Sequence, residues 1–197
     1  MPAACQSCPP CYGSAAMSER IRPDREHYFM GVAIAVRQRA NCKGQRVGAV
    51  IVKDSHIIST GYNGTPADMP NCEEEDGCFR CSNRERFVSG TGYDLCICVH
   101  AEQNALLSAA RFGIAVEGAT LYTTTRPCFG CTKEMLQARI HNVHFIHDWV
   151  YPSDEVRHEY QRLQAKLPGG IKRMEIVDAD AEWATAGKAL PPEGIGH

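Results

Sequence analysis

The chain has 197 residues, 44% of them hydrophobic and 22% charged, with a formal net charge of −2. That is enough length to bury a real core in one domain of ordinary size. The weak charge balance, with no Lys/Arg stripe, is a poor footprint for a polynucleotide, and no run approaches the roughly 18 apolar residues of a membrane span.

Eleven cysteines make a high and odd count. The first twenty residues lack the apolar core of a secretory signal, so a cytoplasmic location is expected. In such a chain clustered cysteines read as metal ligands before disulfides.

Residues 1–20 are expected to be a flexible leader, carrying Cys5, Cys8 and Cys11. The domain proper is expected over 21–177. Asp24 can cap a helix running to Ala40, with Tyr28, Phe29, Val32 and Val36 on its apolar face. Val47 to Lys53 reads as a strand, Asp54-Ser55 as a turn and His56 to Gly61 as a returning strand. Thr65 to Leu95 has little pattern and belongs to a cysteine-rich insert over about 65–98. An irregular segment of that length inside a compact domain is uncommon unless functional or stapled, and Cys72, Cys78, Cys81, Cys96 and Cys98 suggest the staple. Ala101 to Phe112 is the next helix, ended by Gly113. Ala119 to Thr124 is a strand, Cys128 to Arg139 a helix and Val143 to His147 a strand. Asp154 to Leu167 is a helix closed by Pro168-Gly169-Gly170, and Ile171 to Val177 a last strand. Residues 178–197, with Pro191-Pro192, are expected to be a flexible tail. The alternation of strands and helices predicts an α/β layer structure.

The chemistry sits at His100-Ala101-Glu102 and Pro127-Cys128-Phe129-Gly130-Cys131. One imidazole and two thiols suit zinc, whose catalytic sites use three protein ligands and keep a fourth position for water. Residues two apart do not share a face in mid-helix, so His100 and Glu102 converge only in a first turn. Cys128 and Cys131, three apart, do share a face, and Pro127 is a natural helix opener. Two helix N-termini aimed at one ion would offset the thiolate charge. Glu102 is the expected proton carrier.

The H-x-E…P-C-x-x-C combination is that of zinc-dependent nucleobase deaminases. Together with Gly61-Tyr62-Asn63-Gly64-Thr65-Pro66, His100-Ala101-Glu102-Gln103-Asn104-Ala105 and Gly118-Ala119-Thr120-Leu121-Tyr122, it resembles the deoxycytidylate (dCMP) deaminases from about Tyr28 to Trp149. The resemblance implies a three-layer α/β/α fold around a mixed sheet of about five strands. It also implies zinc-dependent conversion of dCMP to dUMP and ammonia, a homo-oligomer, and dCTP and dTTP as effectors. Deamination of CMP or cytidine, or a catalytically inactive nucleotide-binding role, is the alternative. By the same resemblance Asn63 would bond sugar or base, the backbone around Ala101 and Thr125 would meet the pyrimidine edge, and a cation would stand near the 5′-phosphate. Arg126 departs from the residues usual in the family at that place, but a guanidinium can grip phosphate bidentately, and it is the candidate taken here. Arg111 would serve phosphate, effector or subunit contacts. Some members of the family carry a second, structural zinc. Its implied ligands here are Cys42, Cys72 and Cys98, with Cys78, Cys81 or Cys96 as the fourth, and Cys78 is taken for that place.

Overall fold

The computed structural model describes residues 22–88 and 91–186. The expected leader with its three cysteines, and the end of the expected tail, lie outside the described residues. Helix α1 (Arg25–Arg37) is capped by Asp24, whose side chain accepts from the His27 N–H at 2.8 Å. Strands β1 (Gly48–Lys53) and β2 (His56–Tyr62) form a hairpin. Its tight turn puts Asp54 and Ser55 at positive φ, a region that short polar side chains tolerate. The insert contributes a one-turn helix α2 (Phe79–Ser82) and two single 3₁₀ turns. Then come α3 (Ala101–Arg111), β3 (Thr120–Thr125), α4 (Phe129–Gln137), β4 (Asn142–His147), α5 (Asp154–Gln164), β5 (Ile171–Arg173) and α6 (Ala181–Thr185).

The five strands make one mixed sheet in the order β2-β1-β3-β4-β5. β1 runs antiparallel to β2 and β3, while β3, β4 and β5 are mutually parallel, as helical crossovers require. Side chains alternate across the sheet, and both faces are covered. Val50, Val52 and Tyr122 pack with Phe29, Met30 and Ala33 of α1 on one side. Ala49, Ile51 and Leu121 pack with Ala101 and Ala105 of α3 and Met135 of α4 on the other. This is the expected three-layer arrangement.

Two expectations are corrected here. The last strand stops at Arg173 rather than Val177, because β5 is an edge strand paired only along Val143–Phe145 of β4. The expected loose tail does not begin at Asp178. Its carboxylate takes two hydrogen bonds from the fully buried Arg37, at 2.6 and 2.8 Å, and one from His147 at 2.6 Å. The Arg37 guanidinium beside Asp178 holds its carboxyl well below the usual carboxylate range. Downstream, Ala184 is buried, and Arg46 stacks on Trp183 at 4.6 Å while its N–H donates to the Ala184 carbonyl. The segment through Ala186 is therefore fastened to α1 and to the start of β1.

Candidate metal centre and substrate cavity

The first turns of α3 and α4 meet at the C-terminal end of β3, where Thr123 and Thr125 stand. His100 is the N-cap of α3, and its backbone N–H is taken by the Gln103 side chain at 2.9 Å. Cys128 is the N-cap of α4, where its sulfur accepts from the Cys131 N–H at 3.5 Å. Gln103 also donates to Glu134 at 2.8 Å, which ties the two helices together beside the site.

The two motif stretches quoted above act on each other. A Cβ at Gly61 would fall 2.2 Å from the Ala101 carbonyl oxygen and 2.4 Å from the Ala105 nitrogen, so only glycine lets α3 lie this close to β2. Asn104 donates to the Tyr62 carbonyl at 2.7 Å. Gly64 and Val99 exchange backbone hydrogen bonds at 3.2 and 2.8 Å, which fixes the residue just before His100. These contacts set where the His100 ring stands. Tyr93 meets that ring edge-on, with centroids 5.5 Å apart.

His100 Nδ1 lies 3.4 Å from each of the Cys128 and Cys131 sulfurs. Metal–nitrogen and metal–sulfur bonds of about 2.0 and 2.3 Å make a tetrahedral edge of about 3.5 Å, so both nitrogen–sulfur distances suit one zinc ion, and the three atoms all lie within 4.8 Å of one another. The electrostatics agree with the donor set. The hydrogen bond from Cys131 and then His100 hold the Cys128 thiol well below its ordinary value. Burial works against the imidazolium of His100, yet Cys128 and Glu102 push it up to about 9. The same hydrogen bond to Cys128, and then burial, push the Cys131 thiol well up, so a cation between the three donors would replace the His100 proton and draw the proton from Cys131.

Glu102 is buried on the same side. One oxygen accepts from the Thr123 hydroxyl at 3.2 Å, and the other lies 3.6 Å from the Cys131 sulfur. Burial raises its pKa, and the positive charge at His100 works in the opposite sense. A carboxyl so placed can take and return a proton inside a largely dry site.

A cavity of about 140 Å³ opens over the centre. Of the sequence-predicted residues, His100, Ala101, Glu102, Cys128, Asn63, Thr125 and Arg126 line it, and so do Cys42 and Cys98 of the expected second ligand set. Asn63 already accepts from the Val47 N–H at 2.7 Å and donates to the Gln45 carbonyl at 2.6 Å, so part of its bonding capacity braces the entry to β1. Arg126 does not stand open to a ligand as expected. Gln164 takes two of its hydrogen bonds, the nearer at 2.6 Å, and Asp148 pairs with it at 3.2 Å. Arg111 is not brought to the cavity at all. It is exposed at the far end of α3, about 15 Å of helix from His100.

The insert supplies wall residues that the pattern of the chain did not single out. Arg80, Arg84, Phe87 and Tyr93 all face the cavity. Arg80 is held by the Thr91 carbonyl at 2.9 Å and by the Tyr93 ring at 4.7 Å. The Arg84 guanidinium has no ion pair or hydrogen bond among the described residues; burial weighs against its charge, and the nearby Cys42 and Cys81 sulfurs work in the opposite sense.

The expected second ligand set is corrected as well. Cys42, Cys72 and Cys98 do gather, but their fourth neighbour is Cys81, with all four sulfurs within 4.8 Å of one another. Cys78 caps α2 one turn earlier and reaches Cys96 at 3.7 Å instead.

A mixed sheet carrying one histidine and two cysteines at paired helix starts, with a buried carboxyl beside them, defines the class of zinc-dependent hydrolytic deaminases. Residues 23–147 match the model of the cytidine and deoxycytidylate deaminase zinc-binding region, and the chain belongs to that family. It is 40% identical to a deoxycytidylate deaminase of Saccharomyces cerevisiae, a match covering 71% of this chain and 42% of that one. It is 39% identical to the deoxycytidylate deaminase of Mycobacterium phage D29, covering 68% of this chain and 98% of that one. The structure of a cyanophage S-TIM5 dCMP deaminase with dCMP and dUMP superimposes with a TM-score of 0.59 at 29% identity. That match covers 79% of this chain and all of the phage chain. The chain thus spans about two-fifths of the yeast relative and nearly all of the mycobacteriophage one.

Proposed function

We propose that this protein hydrolyses dCMP to dUMP and ammonia, with zinc held by His100, Cys128 and Cys131. The observation that carries this reading is the approach of those three donor atoms to 3.4 Å beside buried Glu102, at the floor of a cavity. Kinship to the yeast and phage enzymes supports the choice of dCMP.

Zinc, when bound, supplies Lewis acidity that makes a water nucleophilic near neutral pH. The remaining work falls to the chain's own residues. Glu102 accepts a proton at the start of the reaction and delivers it to N3 of the cytosine ring. It then carries a second proton to the departing amine. One carboxyl serves both steps because it is reprotonated between them, and burial keeps its pKa high enough to hold that proton. Thr123, through its hydroxyl at 3.2 Å, keeps the carboxyl turned toward the ring. Asn63 and the backbone at Ala101 and Thr125 present donors and acceptors to sugar and base.

For the 5′-phosphate the reading shifts from Arg126 to Arg84. Arg126 is already neutralised by Asp148, whereas Arg84 lines the cavity with no carboxylate or hydrogen-bond partner on its guanidinium, and an incoming dianion would offset the cost of its burial. Assembly into a homo-oligomer and a response to dCTP and dTTP belong to the same proposal. Arg111 would serve there, on the exposed end of α3 beside Leu107 and Phe112.

The test is a substrate panel on zinc-replete protein: dCMP, CMP, dCTP and cytidine, followed by loss of cytosine absorbance and by chromatography of the product. Fastest conversion of dCMP is expected. A preference for cytidine would remove Arg84 from the argument, and no conversion of any of them would end the proposal.

A further inference from the structure

Beside the His100 centre, six reduced cysteines gather where the insert meets the residues before β1, and Cys42, Cys81, Cys96 and Cys98 reach the wall of the same cavity. Their sulfurs form two groups of four, each group within 4.8 Å of itself throughout: Cys42, Cys72, Cys81 and Cys98, and Cys78, Cys81, Cys96 and Cys98. Cys81 and Cys98 belong to both groups. One tetrahedral ion needs four thiolates and would strand two sulfurs beside it, whichever group it chose. Two ions sharing an edge would use all six.

The spacings favour the second arrangement. Zinc–sulfur bonds of about 2.3 Å make a tetrahedral edge of about 3.8 Å. The shared pair, Cys81 and Cys98, stand 3.9 Å apart. Cys42 to Cys81, at 3.6 Å, is an edge of the first tetrahedron alone. Cys78 to Cys96 at 3.7 Å and Cys81 to Cys96 at 3.9 Å are edges of the second alone. Bond-length edges therefore exist on both sides of the shared pair. Charge is neutral between the alternatives: one dication with four thiolates and two dications with six both leave a net −2. Backbone N–H groups of Lys43 and Gly44 already point at the Cys72 and Cys42 sulfurs, at 3.4 and 3.3 Å, and offset part of it.

The surrounding chain gives such a cluster work to do. α2 has only 4 residues, so the insert has little regular structure to hold it. Among the described residues, the buried group that gathers the insert is largely these sulfurs. Metal ligation supplies the folding free energy that an apolar core would otherwise give. We propose that the six cysteines hold two zinc ions bridged by the thiolates of Cys81 and Cys98. Cys42 and Cys72 complete one tetrahedron, and Cys78 and Cys96 complete the other. The proposal stands apart from the deaminase reading and fails or survives separately from it.

The full-length protein should contain about three zinc ions per chain by elemental analysis, one catalytic and two in the cluster. Cys128→Ser with Cys131→Ser should leave about two. Replacing Cys5, Cys8 and Cys11 by serine should leave the wild-type content unchanged. Exchange of the wild-type protein with ¹¹³Cd should give two NMR signals in the range of all-sulfur ligation, split by coupling to each other through the shared sulfurs. A single uncoupled all-sulfur signal with about two metals per chain would overturn the bridged cluster. So would a third metal that disappears with Cys5, Cys8 and Cys11.

Discussion

Replacing Asp178 by Asn removes a charge without changing the shape of the side chain, at a place where the structure makes charge expensive. Arg37 is fully buried, and its Nε finds no hydrogen-bond partner, so the carboxylate is what compensates the guanidinium. Two charge-assisted bonds at 2.6 and 2.8 Å would each lose their anionic acceptor, and one amide N–H would be turned toward a cation. Breaking a buried pair from one side typically costs about 3–5 kcal/mol. With a urea slope of about 1–3 kcal/mol per molar, the unfolding midpoint should fall by at least about 1 M. The measurement is a urea titration of zinc-saturated protein followed by circular dichroism. The sign of the pH dependence follows from the depressed pKa of Asp178: its contribution is complete above the ordinary carboxylate range and is lost as pH falls below it. The gap between the two proteins should therefore stay constant from neutral pH to about 4 and close below that. A chain ending at Val177 should lose at least as much, since it also gives up buried Ala184 and the contacts of Trp183 and Ala184 with Arg46. An unchanged midpoint for either variant would refute the claim that this segment is part of the folded structure.

Glu102→Gln should lower dCMP turnover by about two to four orders of magnitude with zinc content intact, and a loss under tenfold would take the proton-carrying role from Glu102. Arg84→Ala should raise the KM for dCMP by about 10- to 100-fold with little change in kcat, the worth of one hydrogen bond to a charged group. Arg126→Ala should chiefly lower stability, since it breaks an intramolecular pair; the reverse pattern would return the phosphate to Arg126. Gly61→Ala forces a methyl group into the backbone of α3 and should cost about 1–3 kcal/mol, with a drop in kcat as the first turn of α3 moves. Thermal unfolding and steady-state kinetics on one preparation check both parts.

Much of the sheet and its helices was legible because local signals agreed with the tertiary outcome. Asp24 caps α1 as its position suggests, and Gly113, at φ 69°, ends α3. The gathering of His100, Cys128 and Cys131 was legible for the same reason: ligand types and spacing are local, and Pro127 marks a helix start. What escaped depends on partners distant in the chain. Arg37 reads as a solvated helix charge until Asp178, 141 residues later, buries it. Arg126 looked available until Gln164 and Asp148 were brought beside it. Arg84 and Tyr93 have no periodicity around them that could mark a cavity wall. The choice between Cys78 and Cys81 turned on how one turn of α2 faces its neighbours, and spacing alone does not decide that.

Cys98 and His100 are separated by a single residue, and Val99 is clamped on both sides by Gly64. The two groups of candidate metal ligands are therefore joined by a short, stiff link rather than by a loop that could absorb a shift. In a protein built this way, zinc starvation would not spare activity until the last ion is lost. Emptying the cysteine-rich side would loosen the anchor of the imidazole two positions on, so activity and metal content should decline together. A stepwise chelator titration with simultaneous assay would expose that dependence, and full activity after the cluster has been stripped would rule it out.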